Sequence, residues 1–199
     1  SFSSFQEYCK RLKQIGAILT VNSKNNDSSA IEGMNHPENI LKKEDFVCIK
    51  ANWNSKDKNI ATEGLMLMKG LADKNCADAI EELGLTYCTF SKVQSSEIKA
   101  RREILGLNHD ISETQSIQYL ESIKADETMS VDALYILGYS YWKKHKWEDG
   151  AKTLSKALDK MSTSSESTFN GLSKEKLTEE INRYLGLCNK ELKKLEKSL

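Results

Sequence analysis

The residues best suited to bind a metal or to act as nucleophiles are few and widely spaced. None of the histidines, His36, His109 and His145, lies in an H-E-x-x-H sequence or in a zinc-finger pattern of Cys and His. The cysteines form no C-x-x-C pair; they are Cys9, Cys48, Cys76, Cys88 and Cys188. A catalytic thiol needs a nearby base, and the chain has no phosphate-binding glycine loop and no G-x-S-x-G sequence. We therefore expect no catalytic residue, no metal and no cofactor, and the chain is not predicted to be an enzyme.

Composition limits the partners and the compartment. The chain has 199 residues, and its 29 Lys and Arg balance its 29 Asp and Glu. Proteins specialised for phosphate backbones or anionic lipid carry a basic excess, so nucleic acid is not the expected partner. No apolar run of about 18 residues occurs, so we expect no membrane span. Scattered cysteines in an odd number are more typical of a cytoplasmic or nuclear protein than of a disulfide-linked secreted one.

The shortage of chain-breaking residues predicts an all-α protein, because 1 proline and 10 glycines are too few for a turn-rich β architecture. Apolar residues recur every three or four positions from residue 57 onward. We predict helices at 57–73, 76–91, 96–106, 112–125, 129–144, 147–161 and 173–197. Several connections are very short, which makes neighbouring helices antiparallel hairpins. Residues 161–171, rich in Ser and Thr, form a long predicted loop and a candidate insertion or phosphorylated segment.

The two ends of the chain are predicted to be helical as well. Residues 1–56 form an N-terminal helical extension, with one apolar stripe along 2–21 and a flexible loop at about 22–36. Residues 40–53 fit a helix or a short buried strand, and helix is favoured. The last helix follows Ser173, a favourable N-cap. Its apolar stripe is Leu177, Ile181, Tyr184, Leu185, Cys188, Leu192 and Leu195. If this stripe is not covered within the molecule, we expect it to support self-association.

Two segments share an ungapped pattern. From their second residue onward, 77–87 and 131–141 both read D-A-Φ-x-x-L-G-x-[TS]-Y, where Φ is apolar. A weaker copy, Tyr184-Leu185-Gly186-Leu187-Cys188, lies in the last helix. In such a pattern the leucine fills the space between two helices of a hairpin, and the glycine lets the neighbouring backbone approach closely. The tyrosine covers the end of the hairpin.

This pattern resembles the tetratricopeptide (TPR) and Sel1-like helical repeats. Residues 131–162 are similar to one complete tetratricopeptide unit, although Ser162 stands where a proline commonly ends it, and residues 60–90 are more similar to a Sel1-type unit. The residues that carry the resemblance are Leu83, Gly84, Tyr87, Leu137, Gly138, Tyr141, Gly150 and Ala157. The resemblance implies that residues 57–199 form antiparallel helical hairpins stacked as a superhelix, which the C-terminal helix caps.

The resemblance also implies a binding surface. In these repeats the first helix of each pair lines a concave face that takes extended or helical peptides. The positions of the better unit that map to this face are Asp132, Tyr135, Tyr139 and Trp142. Tyrosine and tryptophan are frequent at protein interfaces. The stripe is therefore either a groove for a partner peptide or helix, or a set of rings buried against the preceding hairpin.

The sequence thus favours a non-enzymatic adaptor or scaffold that binds a partner protein in a concave aromatic groove. The alternative is an RNA-associated helical-repeat protein that uses two basic clusters, Lys99–Arg102 and Lys143–Lys146. Trp142 or Trp147 would stack on bases beside these clusters. A solvated helix face is the simpler interpretation of both clusters.

Overall fold

The computed structural model describes residues 45–88, 96–107, 109–125, 127–169 and 172–199. In these residues the helices are α1 (Asp45–Trp53), α2 (Lys58–Asp73), α3 (Ala77–Tyr87), α4 (Ser96–Leu105), α5 (His109–Ser122), α6 (Val131–Lys143), α7 (Trp147–Thr163) and α8 (Lys174–Lys197). Two short strands, β1 (Thr168–Phe169) and β2 (Leu172–Ser173), pair antiparallel between α7 and α8. No described helix has both the length and the apolar character needed to cross a bilayer.

The mostly helical prediction is confirmed for the described residues. Each helix predicted from residue 57 onward is present, with its ends within a few positions of the predicted ones, and α1 confirms helix rather than strand at 45–53. The predicted loop at 161–171 instead starts as the last turn of α7 and continues into β1. The helix predicted at 2–21 and the loop at 22–36 lie outside the described residues.

Local side-chain contacts explain where several helices begin. Asp57 Oδ1 accepts hydrogen bonds from the amides of Asn59 at 2.8 Å and Ile60 at 3.2 Å. The predicted cap Ser173 accepts a bond from the amide of Lys176 at 3.2 Å. The first amides of a helix have no partner within the helix, and these oxygens satisfy them. The caps therefore fix the first turns of α2 and α8.

The same tight turn follows α2 and α6. Asn75 and His145 adopt the left-handed conformation, with φ of 59° and 61°. In the turn after α6, the amide of Lys146 donates to the carbonyl of Tyr141 at 2.9 Å, and the turn after α2 has the corresponding bond. This arrangement is the Schellman motif, which satisfies the last carbonyls of a helix. It leaves only three residues between each helix and the next.

The chain divides into two compact units. The first comprises the described residues up to Leu83 together with Arg101–Gly106, and the second comprises those of Gly84–Ala100 and Leu107–Leu199. The division falls inside α3 and α4. The boundary that the sequence placed at residue 56 lies between α1 and α2, two helices that pack on each other.

The first unit is built on the contact between α1 and α2. A β-carbon at Gly64 would lie 2.5 Å from the backbone nitrogen of Trp53 and 2.8 Å from the carbonyl carbon of Asn52. Only glycine allows the two backbones to come this close. The contact buries apolar side chains from both helices, namely Ile49, Trp53, Ala61, Leu67 and Met68.

The second unit is built around α6. All residues from Val131 to Tyr141 are buried, which is typical of a helix that is covered on every side. α7 packs antiparallel to α6 after the tight turn, α8 packs on both of them, and α5 also contacts α6. The sequence pattern of residues 131–141 thus lies at the centre of this unit.

Candidate functional site: the aromatic face of α6

The stripe expected to form an open groove is mostly buried. Asp132 is 6% exposed, Tyr135 1% and Tyr139 4%. Trp142, at the end of the helix, is partly exposed. The stripe therefore does not form an open groove in this structure.

Tyr184 of α8 covers the three rings, which we call the aromatic face of α6 (Tyr135, Tyr139 and Trp142). Its ring centroid lies 6.5 Å from that of Tyr135, 4.6 Å from that of Tyr139 and 4.8 Å from that of Trp142. It meets Tyr139 edge to face, at 87°, a favourable arrangement for aromatic pairs. Of the two interpretations left open by the sequence, buried rings are observed. The covering element seen in these ring contacts is the following helix α8.

The apolar stripe of α8 is what holds this helix on α6 and α7. The buried side chains of the stripe are Leu177, Ile181, Tyr184 and Cys188. A β-carbon at Gly150 would lie 2.9 Å from Sγ of Cys188, so the absence of a side chain at Gly150 lets α8 approach α7. Burial raises the pKa of the Cys188 thiol. A protonated, buried thiol is a poor nucleophile, and Cys188 acts here as a small apolar residue.

The glycines of the two pattern segments make the same contact. A β-carbon at Gly138 would lie 2.6 Å from Cγ of Leu154, and one at Gly84 would lie 2.6 Å from Cγ of Leu120. Each glycine therefore receives a leucine side chain from another helix, α7 for Gly138 and α5 for Gly84. The sequence predicted a close backbone approach here. The nearest group at both glycines is a leucine side chain, and at Gly138 the backbone nitrogen of Leu154 also lies 3.4 Å from the β-carbon position.

The residues four positions before these leucines, Ser116 and Gly150, also occupy places equivalent to each other. Ser116 Oγ donates a hydrogen bond to the carbonyl of Gly84 at 2.6 Å, and a β-carbon at Gly150 would lie 3.5 Å from the carbonyl oxygen of Gly138. Both residues thus stand beside the carbonyl of a pattern glycine. At the two pattern glycines, α5 therefore packs on α3 in the same register in which α7 packs on α6.

Ser116 and Leu120 were not found from the sequence. The second helix follows the pattern glycine by 12 positions at Gly150 but by 32 positions at Ser116, and α4 lies in the longer connection. The available signal was a shared spacing, S-x-x-x-L-x-x-I at 116–123 and G-x-x-x-L-x-x-A at 150–157. The resemblance to a Sel1-type unit over residues 60–90 put the pattern of α3 on the second helix of that unit. The contact of Gly84 with α5 instead matches the contact of Gly138 with α7, in which the pattern lies on the first helix.

The first basic cluster, Lys99–Arg102, is not a solvated surface throughout. Arg101 is 3% exposed. Its guanidinium donates to Glu82 Oε2 at 3.1 Å and to Asn54 Oδ1 at 3.1 Å, and lies 4.7 Å from the centre of the Trp53 ring. Lys50 also contacts Glu82, with 3.0 Å between Nζ and Oε1. Arg101 is thus a buried structural residue, because its charge is matched by that of Glu82.

The second basic cluster, Lys143–Lys146, is exposed at every position. His145 stacks on the ring of Trp147 with 4.8 Å between centroids, and Lys146 Nζ lies 5.8 Å from the centre of the Tyr141 ring. The exposure of this cluster agrees with its interpretation as a solvated surface. Among the side chains that the structure describes, no group of three or more His, Cys, Asp or Glu could hold a metal ion.

Comparison with known proteins gives no indication of function, so function is inferred from this geometry. No protein-family model, no curated protein and no solved structure matches the chain. The tetratricopeptide and Sel1-like resemblance therefore stays a prediction from residues 60–90 and 131–162.

Proposed function

We propose that this chain is a non-enzymatic scaffold that recruits another protein by binding an amphipathic helix on the aromatic face of α6. The observation that carries the proposal is the position of Tyr184 among Tyr135, Tyr139 and Trp142. An amphipathic helix is seated on this face, and in the structure that helix is α8.

The contacts of α8 define the partner that the face accepts. The partner helix needs an aromatic side chain at the position of Tyr184 and a small residue, like Cys188, opposite Gly150. Between the start of the helix and the aromatic side chain, the partner needs aliphatic side chains in the places of Leu177 and Ile181. This is helix-in-groove recognition, in which anchors three and four positions apart face one surface.

A partner must compete with α8 for this face. Burial of a Leu or Ile side chain contributes about 1.5–3 kcal/mol, and a segment on a short tether has an effective concentration in the millimolar range. A free helix therefore binds measurably only if it makes better contacts than α8 or if the hold of α8 is weakened. Trp142, which is partly exposed, is the part of the face that a partner reaches first.

The test uses the full chain and a fluorescent peptide with the sequence of residues 174–197. We expect this peptide to bind the Tyr184→Ala chain more tightly than the unchanged chain, since the variant retains α8 but holds it less firmly. Adding Trp142→Ala should weaken binding about tenfold, as for a central aromatic anchor. Adding Trp147→Ala is the matched control and should leave the affinity unchanged.

Two results would contradict the proposal. One is a Tyr184→Ala chain that circular dichroism finds folded but that does not bind the peptide at all. The other is equal loss of binding with Trp142→Ala and Trp147→Ala, which would place the peptide elsewhere on the chain.

A further inference from the structure

The last helix carries the third copy of the pattern, and one side of it matches α3 and α6. Ile181 and Cys188 in α8 correspond to Ala133 and Ser140 in α6 and to Ala79 and Thr86 in α3, and all six residues are 0% exposed. α8 is therefore buried along the same face as the two earlier helices.

The opposite side of α8 differs. We define the outer face of α8 by Asn182, Leu185, Gly186 and Asn189. Gly186 corresponds to Gly84 and Gly138, yet apart from the neighbouring backbone of α8 itself no described atom lies within 4 Å of the position of a β-carbon at Gly186. Asn182, Gly186 and Asn189 are exposed, and Leu185 is half-buried. The outer face thus has the leucine and glycine of the pattern, but among the described residues no helix covers them as in α3 and α6.

The chain itself provides two examples of the helix that fits such a face. Both present a leucine to the pattern glycine, and both have a small residue four positions before it: Ser116 before Leu120 and Gly150 before Leu154. The second example, α7, is also acidic in its first turn, at Glu148 and Asp149. Asp149 is close enough to Tyr141 to help raise the pKa of its phenol, after the larger effect of burial.

Charge around the outer face of α8 complements such an acidic first turn. In α6 the pattern position of Asn189 is taken by Tyr141, which lies near the acidic first turn of α7. The acidic end of a helix bound to the outer face would therefore lie beside Asn189. Lys190 and Lys193 are exposed there. The two asparagines replace apolar or aromatic residues of α6, which keeps the face compatible with water when it is empty.

We propose that the outer face of α8, centred on Gly186, binds an acidic amphipathic helix of a partner protein that presents a leucine with a small residue four positions before it. This surface lies about 200° around the helix from Tyr184. Binding here leaves α8 in place, and it does not depend on the function proposed above.

The probe is a hydrocarbon-stapled peptide with the sequence of residues 147–161, titrated against the full chain by fluorescence anisotropy. We expect saturable binding that becomes about tenfold weaker or more when Leu154 of the peptide is replaced by alanine. Gly186→Gln in the chain fills the space for the leucine and should cause a similar loss. Lys176→Gln, on another side of α8, is the control and should bind like the unchanged chain. Lys190→Gln with Lys193→Gln should weaken binding severalfold at low salt and less at high salt.

Each other outcome overturns the proposal. If the unchanged chain does not bind the peptide, the outer face has no affinity for such a helix. If Gly186→Gln binds normally, the peptide occupies another site, such as that of α7 on Gly138. If sedimentation velocity finds a dimer that Gly186→Gln dissociates, the occupant is a second copy. If binding appears only after Leu12→Asp, the N-terminal segment of the chain is the occupant.

Discussion

The side chain of Leu154 fills the space in which Gly138 lacks a β-carbon, with Cγ 2.6 Å from the position of that carbon. Leu120 has the same relation to Gly84 in another helix pair. Both leucines are 0% exposed, so neither can leave its place without giving up a buried contact. At each site, the distance between two helices is therefore set by the absence of one methyl group.

Gly138→Ala should destabilise the protein because its methyl group overlaps Leu154. Overpacking of this kind costs about 1–3 kcal/mol in the free energy of unfolding. Leu154→Ala in the same chain removes the overlap. The double variant should therefore lose less free energy of unfolding than the two single variants lose in sum. Urea denaturation followed by circular dichroism measures all three. Additive losses within about 0.5 kcal/mol would contradict the contact.

Gly186→Ala is the matched control, since the same change is made at the same pattern position without a covering leucine. Glycine in an exposed helix is less favourable than alanine by about 0.5–1 kcal/mol. We expect this variant to gain stability by that amount. A loss of stability would mean that the outer face of α8 is covered within the molecule.

Arg101→Ala should cause a large loss of stability, although Arg101 belongs to a sequence cluster that resembles a solvated surface. The change removes the Arg101 guanidinium from the buried Glu82 carboxylate and from the Trp53 ring. Breaking a buried ion pair costs about 3–5 kcal/mol. Lys99→Ala, at an exposed position of the same cluster, should change the free energy of unfolding by no more than about 0.5 kcal/mol. Similar small effects for both variants would contradict the buried position of Arg101.

Helix positions were predictable from the sequence because local groups decide them. Ser173 was identified as a cap from its own sequence context, and its side chain accepts the amide of Lys176 as expected. The partner of α3 was not predictable in this way. The contact between Gly84 and Leu120 joins residues 36 positions apart. The helix α4 lies between them in the chain, and a single two-helix repeat contains no such additional helix.

The aromatic face of α6 was predictable as a face but not as a buried one. Spacing of three and four positions places Tyr135, Tyr139 and Trp142 on one side of a helix whatever lies opposite. What covers this side is decided by Tyr184, which is 42 positions after Trp142. The stripe that contains Tyr184 was recognised in the sequence. Its contact with α6 and α7 also depends on the lack of a side chain at Gly150, beside Cys188.

Tyr184→Ala should loosen α8 without unfolding the rest of the second unit. Replacement of a buried aromatic residue by alanine costs about 3–5 kcal/mol, and here the loss is concentrated on one terminal helix. Limited proteolysis should therefore cut between α7 and α8 faster in the variant. Tyr184→Phe keeps the ring contacts with Tyr139 and Trp142 and should be cut at the rate of the unchanged chain. Equal cleavage of all three chains would mean that the ring does not hold α8.

Tyr141→Phe tests the buried hydroxyl at the end of α6. Tyr141 Oη is buried, and the Glu121 carboxylate lies near it but makes no hydrogen bond of good geometry with it. An unsatisfied buried polar group costs about 1–3 kcal/mol. At neutral pH the variant should therefore be as stable as the unchanged chain or more stable.

The same change should flatten the loss of stability in alkali. Burial, followed by the Glu121 and Asp149 carboxylates, raises the pKa of Tyr141 in the folded chain, while the unfolded phenol ionises near pH 10. Above this pH the unfolded chain loses a proton that the folded chain keeps, so stability falls as pH rises. Below it the contribution is fully present. Urea denaturation at neutral pH and at about pH 11 should give a smaller decrease for Tyr141→Phe than for the unchanged chain. Parallel decreases would mean that the Tyr141 phenol ionises equally in both states.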